Sequence, residues 1–291
     1  MTSVQQSTLS VPGASLFYRS CGRGAPLLIL AGAAADADMT DPLRDRLAAR
    51  QRVIAYDRRG LSRSTIDPGG GHPDVETHAD DAHRLLAELT DEPAYVFAAG
   101  FGGLVGLDLL ARYPEQVRRL VAFEPPLPEL LRPDDGAALR EAQHRVLAAF
   151  QTGGVTAALR EGAELAGLDP EDRELDTAPP ALTPQRMQNL AFDLTCDAPR
   201  AMGYRVDIPA LDVQARKVVP AAGRATRRTL LHRSALALAE TLEQPLVEFP
   251  GGHTSWMLRP RAVAALLLET FEREPPTDRR LRDIAAWRAD R

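Results

Sequence analysis

Residues 27–30 are apolar at every position, and this run constrains the fold more than any other segment of the chain. A strand that is apolar on both faces needs cover on both, which is the situation of a strand inside a parallel sheet. Residues 52–56, 94–98 and 118–123 read as further strands. Between them lie segments of helical period: residues 42–50, residues 78–89 with Ala82, Leu85, Leu86 and Leu89 on one face, and residues 101–112. Strand and helix in alternation imply a parallel sheet with helices on both faces. Ahead of them, residues 9–13 and 15–20 flank a Pro-Gly turn and predict a hairpin.

From about residue 125 to about residue 216 the alternation stops. This stretch is rich in proline and helical in period, with candidate helices at 137–150, 155–166 and 184–195. Strand and helix then resume at 217–222, 229–242, 246–249 and 259–271. The expected organisation is a core formed by residues 1–124 and 217–291, with a helical cap over 125–216. A chain of 291 residues, 44% of them hydrophobic, can bury a core of that size. The charged tail after Glu274 carries one more candidate helix and no assigned role.

Composition narrows the partners. A net charge of −5 gives no electrostatic reason to bind nucleic acid or an anionic membrane. No apolar stretch reaches transmembrane length. The first ten residues lack the basic start and apolar run of a signal peptide. Together with two widely separated cysteines, Cys21 and Cys196, this predicts a cytoplasmic protein with free thiols. No Cys–His cluster suggests a metal, and no cofactor is implied. The expected partner is a small, largely apolar molecule; a homodimer is left open.

The chemistry centres on residues 96–105, VFAAGFGGLV, which read as a short strand, a tight glycine turn and a helix start. That is the setting of a nucleophile elbow, G-x-S-x-G, with Ala98 in the first glycine slot, Gly102 in the last and Gly100 in the nucleophile slot. Further along stand YDRRGLSRS at 56–64, LLARYPEQV at 109–117, EPP at 124–126 and PGGH at 250–253. In order and spacing these segments resemble the α/β-hydrolase superfamily over residues 9–273. The resemblance is to a group from high-GC bacteria that carries the YDRRG-x-SRS segment.

The resemblance implies an α/β-hydrolase fold, a mostly parallel sheet flanked by helices with a helical cap insertion, and a triad order of nucleophile, acid, histidine. It puts the catalytic base at His253, in the glycine-rich loop after the strand 246–249. The usual acid loop, residues 223–228, holds no carboxylate. The alternative position for the acid, directly after the strand 118–123, holds Glu124. The backbone N–H groups of Phe101 and Ala33 would form the oxyanion hole, which needs no side chain. Ser62 and Ser64 read as residues that fix a turn. His72, His78, His83, His144 and His232 have no comparable context.

The function expected from these residues is a cofactor-free enzyme without a serine acyl-enzyme, using His253 and Glu124 as a general acid/base pair. The reaction would be that of a lyase, isomerase, cyclase or decarboxylase on a small apolar organic substrate, in specialised metabolism such as polyketide tailoring. Three alternatives stand beside it: hydrolysis by a water that His253 activates, a non-catalytic ligand-binding protein on a hydrolase fold, and a dinucleotide-binding oxidoreductase. The last rests on Gly100, Gly102 and Glu124 imitating a nucleotide fingerprint, with Val105 where its third glycine belongs.

Overall fold

The computed structural model describes residues 4–32 and 34–273. The chain opens with an antiparallel hairpin, β1 (Gln5–Val11) and β2 (Ala14–Cys21), followed by β3 (Pro26–Leu30), α1 (Asp41–Leu47) and β4 (Arg52–Tyr56). A two-residue strand, β5 (Thr65–Ile66), precedes α2 (Val75–Leu89), β6 (Ala94–Ala99), α3 (Phe101–Arg112) and β7 (Val117–Phe123). No strand occurs among the residues between β7 and β8 (Val218–Gly223), which carry α4 (Pro133–Ala166), α5 (Pro184–Phe192), α6 (Ala198–Gly203) and α7 (Ile208–Val213). The chain then continues through α8 (Leu230–Thr241), β9 (Val247–Phe249), α9 (Ser255–Leu258) and α10 (Pro260–Glu272).

Among the described residues the strands form one sheet in the order β1-β2-β4-β3-β6-β7-β8-β9, with β5 paired to β2. Neighbours from β4 to β9 run parallel, and the hairpin joins antiparallel at the β4 edge. This is the mixed, mostly parallel sheet expected from the sequence. The apolar run of β3 explains why it sits at the centre. Leu28 and Leu30 face the core shared with α2 and α3, whereas Leu27 and Ile29 face the core shared with α1 and α10. Period-two alternation of side chains thus feeds two cores from one strand.

The two helices expected at 137–150 and 155–166 are present within α4, whose run is broken into two at Gly154, with φ 69° and ψ −166°. The helix expected over 184–195 ends at Phe192, and a π-helical turn, Asp193–Asp197, takes over. Among the described residues no helix is long and apolar enough to cross a membrane.

Candidate functional site

Gly100 joins β6 to α3 with φ 54° and ψ −118°, a backbone conformation that side chains strongly disfavour. Its N–H donates to Phe123 O at 2.9 Å, and its own carbonyl accepts from Gly103 N at 2.9 Å. The turn is tight because α3 lies close against β3. A Cβ on Gly102 would stand 2.1 Å from Leu30 O, so that position has room for a hydrogen only. Phe101, the first residue of α3, presents one of the N–H groups that a helix leaves without an intrahelical partner. The positive end of the helix dipole points the same way.

Glu124 follows β7 directly, and it is fully buried with a positive φ of 47°. Its N–H donates to Ala221 O at 2.9 Å, which locks the bend between two adjacent strands. Both carboxylate oxygens are occupied. Oε1 accepts from Gly223 N at 2.9 Å and from the Thr226 hydroxyl, and Oε2 lies 2.7 Å from His253 Nδ1. Burial pushes this carboxyl up, but the His253, Thr226 and Gly223 donors outweigh it and hold Glu124 below the usual carboxylate range. An ionised acceptor requires the hydrogen on His253 Nδ1, which leaves the lone pair on Nε2.

His253 arrives from the loop after β9, about one-fifth exposed. Its Nε2 is directed at the turn of α3: a Cβ on Gly100 would sit 3.3 Å from Nε2 and 3.4 Å from Cε1. Gly100, Phe101, Glu124 and His253 line one cavity of about 330 Å³. Its far wall is the insertion, which contributes aliphatic side chains such as Leu147, Leu159, Leu190 and Leu194. Gly32, Ala34 and Trp256 close the near side. Ala33, expected to donate to an oxyanion, lies outside the described residues, as does the tail from residue 274.

Beside this cavity lies a charged network that the sequence reading did not find. The Arg58 guanidinium stacks over the Phe101 ring at 4.7 Å from its centroid and donates to Ala31 O at 3.1 Å. It also donates to Asp197 Oδ2 at 2.9 Å and, at a longer 3.4 Å, to Asp193 Oδ1. Fully buried His78 packs edge-on against Phe101 and lies 3.2 Å from Asp197 Oδ1. The YDRRG-x-SRS segment is therefore a buried framework. Asp57 accepts from Ala37 N and Arg63, Arg59 pairs with Asp81, and Ser64 bridges Phe17 N and Asp57 O.

Other candidate nucleophiles are accounted for. Ser62 Oγ donates to Asp36, in the segment after β3, at 2.7 Å and accepts from Asn189 Nδ2 at 2.8 Å. Cys196 Sγ lies 3.1 Å from His72 Nδ1, but burial and the Asp197 carboxylate raise its thiol, and burial raises that of Cys21. Glu124 could serve a nucleotide ribose only by giving up the contacts that occupy both its oxygens.

Comparison with known proteins places these features in a wider setting. A family described as alpha/beta hydrolase fold matches residues 25–172. An uncharacterized hydrolase of Bacillus subtilis, YraK, is 35% identical over 275 residues, covering 93% of this chain and 97% of that protein. An alpha/beta hydrolase from Sphaerobacter thermophilus superposes with a TM-score of 0.67 at 24% identity, over 91% of this chain and 100% of that one. A thermophilic esterase from Thermogutta terrifontis gives 0.68 at 21% identity, over 91% and 97%. At these identities the two solved structures speak for the fold alone.

Proposed function

This chain belongs to the α/β-hydrolase-fold family, and on that footing we propose that it is an enzyme whose chemistry is proton transfer by His253, oriented by Glu124, with no serine acyl-enzyme. The observation that carries the reading is the 3.3 Å between His253 Nε2 and the place a Cβ would take on Gly100. The base is aimed where a serine hydroxyl would stand, yet residue 100 has no side chain to deprotonate. The proton it takes must then come from the ligand or from water.

A base fixed in one tautomer, beside an apolar cavity, suits removal of a proton next to a carbonyl or another electron-withdrawing group. The resulting oxyanion would meet the N–H of Phe101 and, in this reading, that of Ala33. Lyase, isomerase and cyclase reactions can begin with that step, whereas a decarboxylation reaches a similar oxyanion by losing carbon dioxide and then takes a proton at carbon, which a protonated His253 would supply. A second reading, hydrolysis by a water that His253 activates, is favoured by the similarity to YraK, which is named a hydrolase.

Untargeted mass spectrometry of a bacterial metabolite extract, incubated with the wild type or with His253→Ala, tests the proposal. Compounds consumed by the wild type should persist with the variant, because loss of an acid/base group costs roughly 10²–10⁴-fold in rate. Equal consumption by both proteins would remove His253 from the reaction. If neither consumes anything while ligands still bind, the protein is a binder on a hydrolase fold.

A further inference from the structure

Asp193 begins the π-helical turn between α5 and α6, a geometry that often marks a functional position. Only 7% of the residue is exposed, and it forms part of the wall of the cavity that His253 shares. Its partner in charge is Asp197, four residues on, and both carboxylates face one guanidinium. The contest is unequal. Asp197 holds Arg58 at 2.9 Å and His78 at 3.2 Å, whereas Asp193 reaches Arg58 through Oδ1 at 3.4 Å. Asp193 Oδ2 makes no hydrogen bond among the described residues. A carboxyl beside an apolar cavity is costly if ionised and weakly paired, and a good donor if protonated.

We propose that Asp193 is the hydrogen-bond donor of the cavity, binding in its neutral form an uncharged oxygen acceptor, such as a ketone or ester carbonyl, on a largely aliphatic ligand. This rests on the same cavity as the proposed function and names the chemical class it selects. Carboxylate ligands are disfavoured there, since they would place a second anion beside Asp193 and Asp197. The environment supports this protonation state: burial and the Asp197 charge push the Asp193 carboxyl up to about 7, while Arg58 opposes them.

The charged and titratable groups around Asp193 come from several elements. Arg58 follows β4, Asp197 and Cys196 share its turn, and His78 reaches Asp197 from α2. Arg186 of α5 and His253 line the same cavity. Arg186 directs Nη1 to the carbonyls of Pro180 and Ala181.

The test uses the full chain with 2-octanone and octanoate as probes, measured by calorimetry at pH 6 and pH 8.5. The wild type should bind 2-octanone in preference to octanoate at pH 6 and lose roughly tenfold in affinity for it at pH 8.5, when the donor becomes an anion. Asp193→Asn should bind 2-octanone equally at both pH values, because an amide donates without titrating. Asp193→Leu should bind it weakly at both. Absence of 2-octanone binding at pH 6, or pH-independent binding in the wild type, would overturn the proposal. So would infrared difference spectra of the wild type against Asp193→Asn showing an ionised carboxylate at pH 6. His253→Ala should retain the pH-dependent binding. A variant that loses turnover alone therefore separates the fate of this inference from that of the proposed reaction.

Discussion

Glu124 Oε2 holds His253 by Nδ1 at 2.7 Å, and the opposite ring nitrogen faces Gly100. The carboxylate thereby decides which nitrogen carries the proton. In Glu124→Gln the amide can place an NH₂ against Nδ1, which moves the ring hydrogen to Nε2 and blocks the base. Nitrogen NMR of the imidazole should show Nε2 unprotonated in the wild type and protonated in the variant. Turnover should fall, yet by less than the roughly 10²–10⁴-fold expected of His253→Ala, because the ring itself remains.

Gly100→Ser asks what the missing side chain excludes. Its Cβ would meet His253 Nε2 and Cε1 at 3.3 and 3.4 Å, so a hydroxyl there falls within reach of the base. The backbone strain at φ 54° should cost about 1–3 kcal/mol of stability. The wild type should resist fluorophosphonate labelling, and the variant should acquire it. On the proton-transfer reading, the native reaction slows, since the hydroxyl occupies substrate or water space. Acceleration by the serine, together with indifference to His253→Ala, would point to a decayed hydrolase instead.

The strands were legible because each carries its signal locally. Leu27 to Leu30 are apolar throughout, and the small residues from Ala98 to Gly103 mark where β6 turns into α3. Glu124 and His253 could be placed because each ends or follows such a strand. The support for Glu124 is less visible: Thr226 sits in the usual acid loop, which holds no carboxylate and supplies a hydroxyl instead. The network around Arg58 was invisible for a different reason. Asp193 and His78 are joined to it across 135 and 119 residues of chain, Asp193 directly and His78 through Asp197, and no periodicity links them. One sign was present. Two acids four residues apart near the end of a largely uncharged helical segment repel each other unless a cation lies between them.

Asp197 is the member of that network whose loss should be felt most in folding. It is fully buried, it meets both Arg58 and His78, and the Arg58 side chain is 4% exposed. Asp197→Ala leaves a buried guanidinium with less compensation and should destabilise the fold by about 3–5 kcal/mol. Asp197→Asn keeps one acceptor oxygen, enough for Arg58, and turns an NH₂ toward His78, whose neutral ring nitrogen can accept, so it should cost less. Urea unfolding of the two variants against the wild type checks the order.

The two shifted carboxyls in the cavity should act on stability in opposite directions as pH changes. Glu124 is held below its ordinary value, so the stability it contributes is present above the unfolded-state pKa and is lost as pH falls through the folded one. Asp193 is raised to about 7, so it is neutral in the fold while the unfolded chain ionises near 4. Between those values the unfolded state releases the proton first, and stability falls as pH rises, levelling off above about 7. Asp193→Asn removes that loss. The variant should melt near the wild-type temperature at pH 4 and above it at pH 8, whereas Glu124→Gln should melt below the wild type at pH 8 and converge with it in acid. Thermal melts of the three proteins across pH 4–8 check both signs, and a variant Asp193→Asn that gains nothing at pH 8 would show that Asp193 ionises without penalty.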